Sequence, residues 1–391
     1  MPQVRGSRQQ EEGIRPGQET MKRISFHLNS LERGGAERVV STLAGLFAEH
    51  GYEVSITTEW YADEEYQLAP GIKRVHVGLR DGDETKGRWT KFRLRIRYLR
   101  EFLETEKPDV CVSFTHRPNY RALSAARGTG IPVVIAIRDD PKALYSGWDD
   151  KIQIPLLFPR AAGAVFQTGE QKAFFAPRLQ DNSAVILNPL NPKYLSVSPA
   201  RDEERRKEVV MSSRLVRKKN QAMLLRAFQK VHEKHGDYIL KIYGKDDGDG
   251  TKEELEKIIA EYHAESYMLL LGASDTLEQD LRDAMVYCLS SDYEGMPNAL
   301  LEAMAMGLPC ISTDCPAGAP AELIKDGENG LLVPVGDENA MAAAICRMIE
   351  DRDLRLRCAA GALSIRDKAA PEKIYEQWRD FLERCVRQTK A

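Results

Sequence analysis

From Met21 onward the chain is a succession of short apolar runs with the composition of β-strands. Each is six or seven residues long and is separated from the next by a stretch of helical character. Seven come first: RISFHLN, YEVSITT, KRVHVGL, DVCVSF, PVVIAI, GAVFQT and SAVILN. The segment NPLNPKYLSVSPARDEERRK then breaks the rhythm with three prolines and a run of charge. Six more follow: EVVMSS, YILKIYG, YMLLLG, MVYCLSS, PCISTD and GLLVPV. Near-continuous apolar strands alternating with helices are buried on both faces, and that is the property of a parallel sheet. The fold class expected is α/β, with two Rossmann-like doubly wound parallel-sheet domains facing a central cleft. At 391 residues the chain exceeds one ordinary core. We divide it into an extension (1–20), a first domain (21–188), a linker (189–207), a second domain (208–366) and a C-terminal helical segment (367–391). Ligands of such sheets lie at the C-terminal ends of the strands.

Composition narrows the partners. A net charge of −3 gives no whole-protein reason for binding nucleic acid, and none is expected. The seven cysteines are scattered without a CxxC, the pattern of buried thiols in a reducing compartment. The seven histidines lack metal-site spacing. The longest apolar runs fall far short of the ~20 residues of a membrane-spanning helix. Residues 1–20 are polar, lack the apolar centre of a signal peptide, and are expected to be disordered.

The densest motif is SSDYEGMPNALLEAMAMG, residues 290–307. It follows a strand and runs into a helix whose first position suits Pro297. The free amides around Met296, Asn298 and Ala299 would then form an anion site. Glu294 and Glu302 flank that site, and carboxylates accept hydrogen bonds from hydroxyls, so a ribose on one side and a sugar on the other would suit them. A buried helix with a solvated glutamate at each end is the plainer alternative. In SSRLVRKKNQ, Arg214 and Lys219 follow a strand and are placed to clamp a diphosphate, whereas Arg217 and Lys218 read as a solvated turn. In SLERGGAERVV, Gly34 and Gly35 open a helix and permit close backbone approach, which a tight turn explains equally well. No GxGxxG occurs, which argues against a nicotinamide or flavin dehydrogenase.

Together, LERGGAE, SRLVRKKNQ, EGMPNALLEAMAMGLPCISTD and ENGLLVPVGD resemble, in this order, a family-4 retaining glycosyltransferase of GT-B architecture, of the bacterial polyprenyl-linked or surface-polysaccharide type. The resemblance spans Met21 to the C-terminus. It implies that Glu302 binds the ribose of a nucleotide, that Glu294 binds the donor hexose, and that the Gly295 to Asn298 amides contact the donor. Arg214 and Lys219 would hold the diphosphate, and Gly34, Gly35, Gly244 and Ala299 would line the donor site. It also implies that the last helix crosses back to the first domain. Ser213 stands where the family usually has Gly before that arginine. Retention needs no protein nucleophile, since the departing phosphate oxygen can take the acceptor proton while cations and amides stabilise the leaving charge.

His116 ends a first-domain strand and resembles a sugar-contacting position of some relatives; a structural role at the next helix is equally open. Arg138, with Asp139 and Asp140 in AIRDDP, also ends a strand at the cleft and is assigned to the acceptor; an ordinary charged turn is equally open. The segment KDDGDGTKEELE nearly spells a calcium loop, but Lys245 occupies the first ligand position. No metal or other cofactor is expected. Seven basic residues crowd 86–100 around a Phe92, Ile96, Leu99, Leu103 stripe. One edge, with Lys91 and Arg95, is assigned to an anionic acceptor, and the helix as a whole to an anionic membrane surface. A domain helix whose stripe packs on the sheet and leaves its charges in water is the commoner alternative, and the two are compatible.

The expected function is transfer of a hexose, an N-acetylhexosamine, from a UDP-sugar to a polyprenyl-diphosphate-linked glycan or surface-polysaccharide precursor, at the cytoplasmic face of the cell membrane. Two alternatives stand beside it. A nucleotide-sugar epimerase or hydrolase would consume donor without acceptor. A non-catalytic partner subunit would bind no donor.

Overall fold

The computed structural model describes residues 21–390, so the extension assigned to residues 1–20 lies outside it. The first sheet contains β1 (Arg23–Leu28), β2 (Glu53–Thr58), β3 (Lys73–His76), β4 (Val110–Phe114), β5 (Val133–Ala136), β6 (Gly163–Phe166) and β7 (Ser183–Val185). Its order is β3-β2-β1-β4-β5-β6-β7, with every pairing parallel. The second contains β8 (Arg206–Ser212), β9 (Ile239–Tyr243), β10 (Met268–Gly272), β11 (Ala284–Leu289), β12 (Cys310–Thr313) and β13 (Leu331–Val333). Its order is β10-β9-β8-β11-β12-β13, again all parallel. Each apolar run of the sequence overlaps one of these strands. The order reverses between β1 and β4 and between β8 and β11, and a crevice opens at such switch points.

The first sheet separates two cores. On one face α1 (Gly35–Glu49) and the C-terminal helix Pro371–Lys390 bury Phe26, Phe47, Phe114, Tyr375 and Trp378. Phe47 meets Tyr375 edge-on at 4.9 Å, and Phe114 lies nearly parallel to Trp378 at 5.8 Å. The C-terminal helix presses so closely on β6 that a Cβ at Gly163 would lie 2.7 Å from Cys385 Sγ and from the Phe381 ring. On the other face α2 (Arg88–Glu106), α3 (His116–Ala125) and the helix Asp150–Leu157 bury Leu99, Phe102, Leu103, Tyr120, Leu157 and Phe158. The second domain has one continuous core.

The basic helix α2 differs from its sequence reading. Its buried stripe is Tyr98, Leu99, Phe102 and Leu103, while Phe92 and Ile96 stay partly exposed. Arg95 is not a free cation at an acceptor edge: its Nε lies 3.0 Å from Glu59, which also pairs with Arg121 inside the domain. Arg97 and Arg100 pair with Glu101 and Glu104 along the helix. Arg88, Lys91 and Arg93 make no ion pair among the described residues.

His27 lies beside this cluster, fully buried, with Nδ1 3.0 Å from Thr57 Oγ1. Burial, reinforced by Arg121, pushes its imidazole down to about 3. Between that value and about 6.5 the unfolded chain binds one more proton there than the native chain does. The stability this group permits is therefore full above pH 6.5 and declines as pH falls, by about 1.4 kcal/mol per unit. Burial raises the Glu59 carboxyl, an effect of opposite sign, so the comparison of a variant with its parent isolates the imidazole. His27→Gln is expected to flatten the fall in melting temperature measured between pH 7 and pH 4.5.

Candidate active site

The site is assembled from the turn after β8, the loop after β11, and the strand ends of the first domain. The helix Asn298–Ala305 starts one position later than expected: Pro297 is its N-cap, with φ −75 and ψ 99. Proline fixes only φ, and its extended ψ leaves it outside the helix. Glu294 is buried in the loop just before, where Ser291 Oγ donates to it at 2.6 Å and Lys219 forms an ion pair with it. Burial pushes the Glu294 carboxyl up, but Lys219 and Lys218 outweigh it and hold the group below the usual range. It is thus an anion with cations built around it.

Lys219 ends a single helical turn, Arg217–Lys219. Asn220 follows in the left-handed region, φ 45, and caps the helix Gln221–Lys234 through Met223 N. Its amide also donates to Asp292 at 2.7 Å, which ties the β8 turn to the β11 loop. Lys218 is not a solvated turn residue. It crosses the cleft to Asp139, 2.8 Å away, and lies 5.3 Å from the Tyr293 ring centre.

Glu302 is buried in the Asn298–Ala305 helix and faces Arg38 of α1, with Nη2 2.5 Å from Oε1. Burial raises its carboxyl, and the attraction of Arg38 offsets this only in part. The two glutamates therefore differ: Glu294 is held ionised, Glu302 is pushed toward its neutral form. Arg214 is half exposed and donates to Asp247 at 2.6 Å. Asp249 of the same acidic segment accepts from the amides of Arg217 and Thr251. These carboxylates are used within turns.

Among the glycines, Gly244 has a reason of its own, because a Cβ there would lie 1.7 Å from the Ser213 carbonyl. Gly34 caps α1, and the Gly35 carbonyl accepts from Asn298 across the cleft at 3.3 Å. Asn298 also accepts from Asn188 at 2.6 Å, and Met296 is buried beside it while Ala299 is partly buried. Gly295 is the tightest point: a Cβ would lie 2.3 Å from the Arg138 carbonyl and 2.7 Å from Gln167 Oε1. The Gly295→Ala substitution must move the two domains apart by about 1 Å to relieve that contact. Displacements of ~1 Å at a reacting centre cost about 10²-fold in rate. We expect a loss of that order in transfer assays, with unchanged far-UV circular dichroism.

Arg138 faces this contact. It donates to Asn188, while Nε and Nη1 are buried without a partner, and burial lowers the guanidinium to about 9. His116 is the first residue of α3, after Thr115 with its strained φ of 73. Its Nε2 lies 2.6 Å from Asp150 Oδ1, which also accepts from Tyr120 Oη at 3.0 Å. Lys91 and Arg95 belong to α2, and Arg95 is committed to Glu59. The sequence reading misses Arg38, Asp150 and Asn188, which no local pattern marks, and gives Asp139 with Arg138 to the acceptor; the structure pairs Asp139 with Lys218.

Two facing parallel-sheet domains with charged groups at their strand ends constitute the GT-B class of fold. Residues 33–192 match Glycosyltransferase Family 4, and residues 206–351 match the family described as Glycosyl transferases group 1, one on each domain. The chain is 27% identical over 358 residues to the amylovoran biosynthesis glycosyltransferase AmsD of Erwinia amylovora, covering 89% of this chain and 96% of that one. It is 27% identical over 352 residues to a Campylobacter jejuni N-acetylgalactosamine-N,N'-diacetylbacillosaminyl-diphospho-undecaprenol 4-alpha-N-acetylgalactosaminyltransferase, covering 86% and 92%. Among solved structures, Anabaena Alr3699/HepE in complex with UDP and glucose aligns with a TM-score of 0.76 at 18% identity, over 92% and 98% of the chains. Sucrose-phosphate synthase of Thermosynechococcus elongatus gives 0.77 at 17%, over 91% and 97%. Structural likeness at such identities speaks for the fold. The chain belongs to the GT-B glycosyltransferases, with a first domain of family 4 and a second of group 1, and is related to enzymes of polysaccharide and polyprenyl-linked sugar transfer.

Proposed function

We propose that this chain is a retaining transferase that moves an N-acetylhexosamine from a UDP-sugar to a polyprenyl-diphosphate-linked glycan or a surface-polysaccharide precursor. The observation that carries the reading is the buried Glu294–Lys219 pair set just before a helix N-terminus, with buried Glu302 inside that helix. In this reading Glu302 takes the ribose hydroxyls and Glu294 the hexose. Lys219, Arg214 and the amides at Gly295, Met296 and Asn298 balance the charge that develops on the departing diphosphate. The bond from C1 to the phosphate oxygen breaks, the acceptor oxygen bonds to C1 on the same face, and the acceptor proton passes to the leaving phosphate. No metal is required by this balance, because the cations come from side chains. His116 is assigned to the donor sugar, and Arg138 and Lys91 to the acceptor side.

The Campylobacter relative's name specifies a diphospho-undecaprenol substrate and an N-acetylgalactosaminyl group, and this supports the acceptor and sugar classes. No helix among the described residues is long and apolar enough to cross a membrane. We assign the enzyme peripherally to the inner face of the cell membrane, with Arg88, Lys91 and Arg93, which make no ion pair among the described residues, meeting anionic lipid. A thermal-shift series over UDP-, GDP- and ADP-sugars tests the donor, because a ligand bound only by the folded state raises the melting temperature. The UDP-sugars are expected to give the largest rise. Transfer of radiolabelled sugar unchanged by Arg214→Ala and by Glu302→Ala would overturn the site assignment.

A further inference from the structure

The geometry points to a second lipid-docking face, distinct from α2: the turn and helix spanning residues 146–157, seated on an anionic bilayer surface. Three large apolar side chains stand out in water here, Trp148 at 73% exposure, Ile152 at 57% and Leu156 at 55%. Ile152 and Leu156, four residues apart in the helix Asp150–Leu157, share one face, and Trp148 stands in the turn just before it. The opposite side of the same segment is committed to the core, where Leu157 and Phe158 are buried and Ile154 packs against them. The stripe is therefore an outward face of a firmly seated element.

Its charge is one-sided. Lys151 and Arg160 are exposed. The only acids between residues 141 and 160 are Asp149 and Asp150. Asp149 pairs with Arg117 at 2.5 Å, and Asp150 is buried against His116 at 2.6 Å. An apolar stripe bordered by cations, with no uncommitted carboxylate, is the chemistry of an element lying in the interface of an anionic membrane.

The position matters as much as the composition. Asp150, which holds His116 in the cleft, belongs to the same helix as Ile152 and Leu156. Seating the stripe on lipid puts the first-domain side of the cleft at the bilayer surface, where the diphosphate of a lipid-linked acceptor would lie. α2 and this helix both pack against α3, so both border one side of the domain. This consequence rests on the proposed function, whereas docking itself does not.

The test uses the full chain and vesicles of phosphatidylcholine, with and without phosphatidylglycerol. The triple variant Trp148→Ser, Ile152→Ser, Leu156→Ser is expected to lose vesicle affinity by about tenfold or more, with its melting temperature close to that of the parent. In a Trp60→Phe, Trp89→Phe background, which leaves Trp148 as the one exposed tryptophan among the described residues, emission should shift to the blue on vesicle binding. It should also be quenched by lipids brominated in the acyl chain. Parental affinity of the triple variant, or emission insensitive to brominated lipid, would overturn the proposal. So would light scattering that shows a concentration-dependent dimer abolished by the triple substitution, since the face would then be an interface between copies. The two readings fail separately. UDP-sugars that leave the melting temperature unmoved, with docking as described, would sink the donor assignment alone. A normal shift with parental docking of the triple variant would sink this one alone.

Discussion

Lys219→Ala is expected to lower sugar transfer by about 10²–10³-fold, the magnitude seen when one preorganised group aimed at developing charge is removed. The loss has two sources, and they can be separated. Lys219 is the cation nearest the loop that precedes the Asn298–Ala305 helix, and it is also the counter-ion of buried Glu294. Removing it leaves that carboxylate buried with Lys218 and the Ser291 hydroxyl alone to offset the desolvation that pushes it up. Breaking a buried pair on one side costs about 3–5 kcal/mol, so the melting temperature should fall as well. Adding Glu294→Gln removes the orphaned charge. The double variant should recover most of the melting temperature and none of the rate, because the diphosphate still lacks its cation. Such non-additivity is the signature of groups in contact. Initial rates with radiolabelled donor, measured beside thermal unfolding, decide it. Recovery of both quantities would mean that Lys219 serves only to neutralise Glu294.

Trp378→Ala should be the most damaging single change to stability, about 3–5 kcal/mol for a fully buried indole. Its ring lies against Phe114 of β4, although its own chain position is 264 residues later. The loss should therefore appear in the first domain and not in the second. Urea titration followed by circular dichroism would then show one transition moving to lower denaturant while the other keeps its midpoint. A shift of both together would mean that the domains unfold as one unit.

Most of the fold was legible because parallel strands buried on both faces leave little freedom of composition. β4, VCVSF, and β11, AMVYCL, are buried along their whole length. β3 was overdrawn at its end: KRVHVGL pairs only over Lys73–His76, where it sits at the sheet edge with β2 as its one neighbour. At the site, Glu294, Glu302 and Lys219 could be found because each sits in a local pattern of turn and helix start. Arg38 could not, since nothing near it in sequence announces a partner on another domain. Lys218 was dismissed for the same reason, its mate Asp139 being 79 residues away. The α2 arginines misled in the opposite direction. A run of positive charge reads as surface, yet Arg95 turns inward to a carboxylate contributed by residue 59.

The C-terminal helix that closes the first sheet carries a consequence for biosynthesis. Translation delivers β1 to β7 early, but Ile374, Trp378, Phe381 and Cys385, which cover one side of that sheet, emerge from the ribosome only after the entire second domain. At about 5–20 residues per second, the chain between β7 and Pro371 takes on the order of ten seconds or more to appear. Through that interval the nascent first domain displays an open apolar face around Phe26 and Phe114, and its neighbour, whose core closes with Ile365 and Ala369, is complete before that face is covered. The chain thus completes its domains in the reverse of the order in which it makes them, and the uncovered sheet is the surface a chaperone would hold in the meantime.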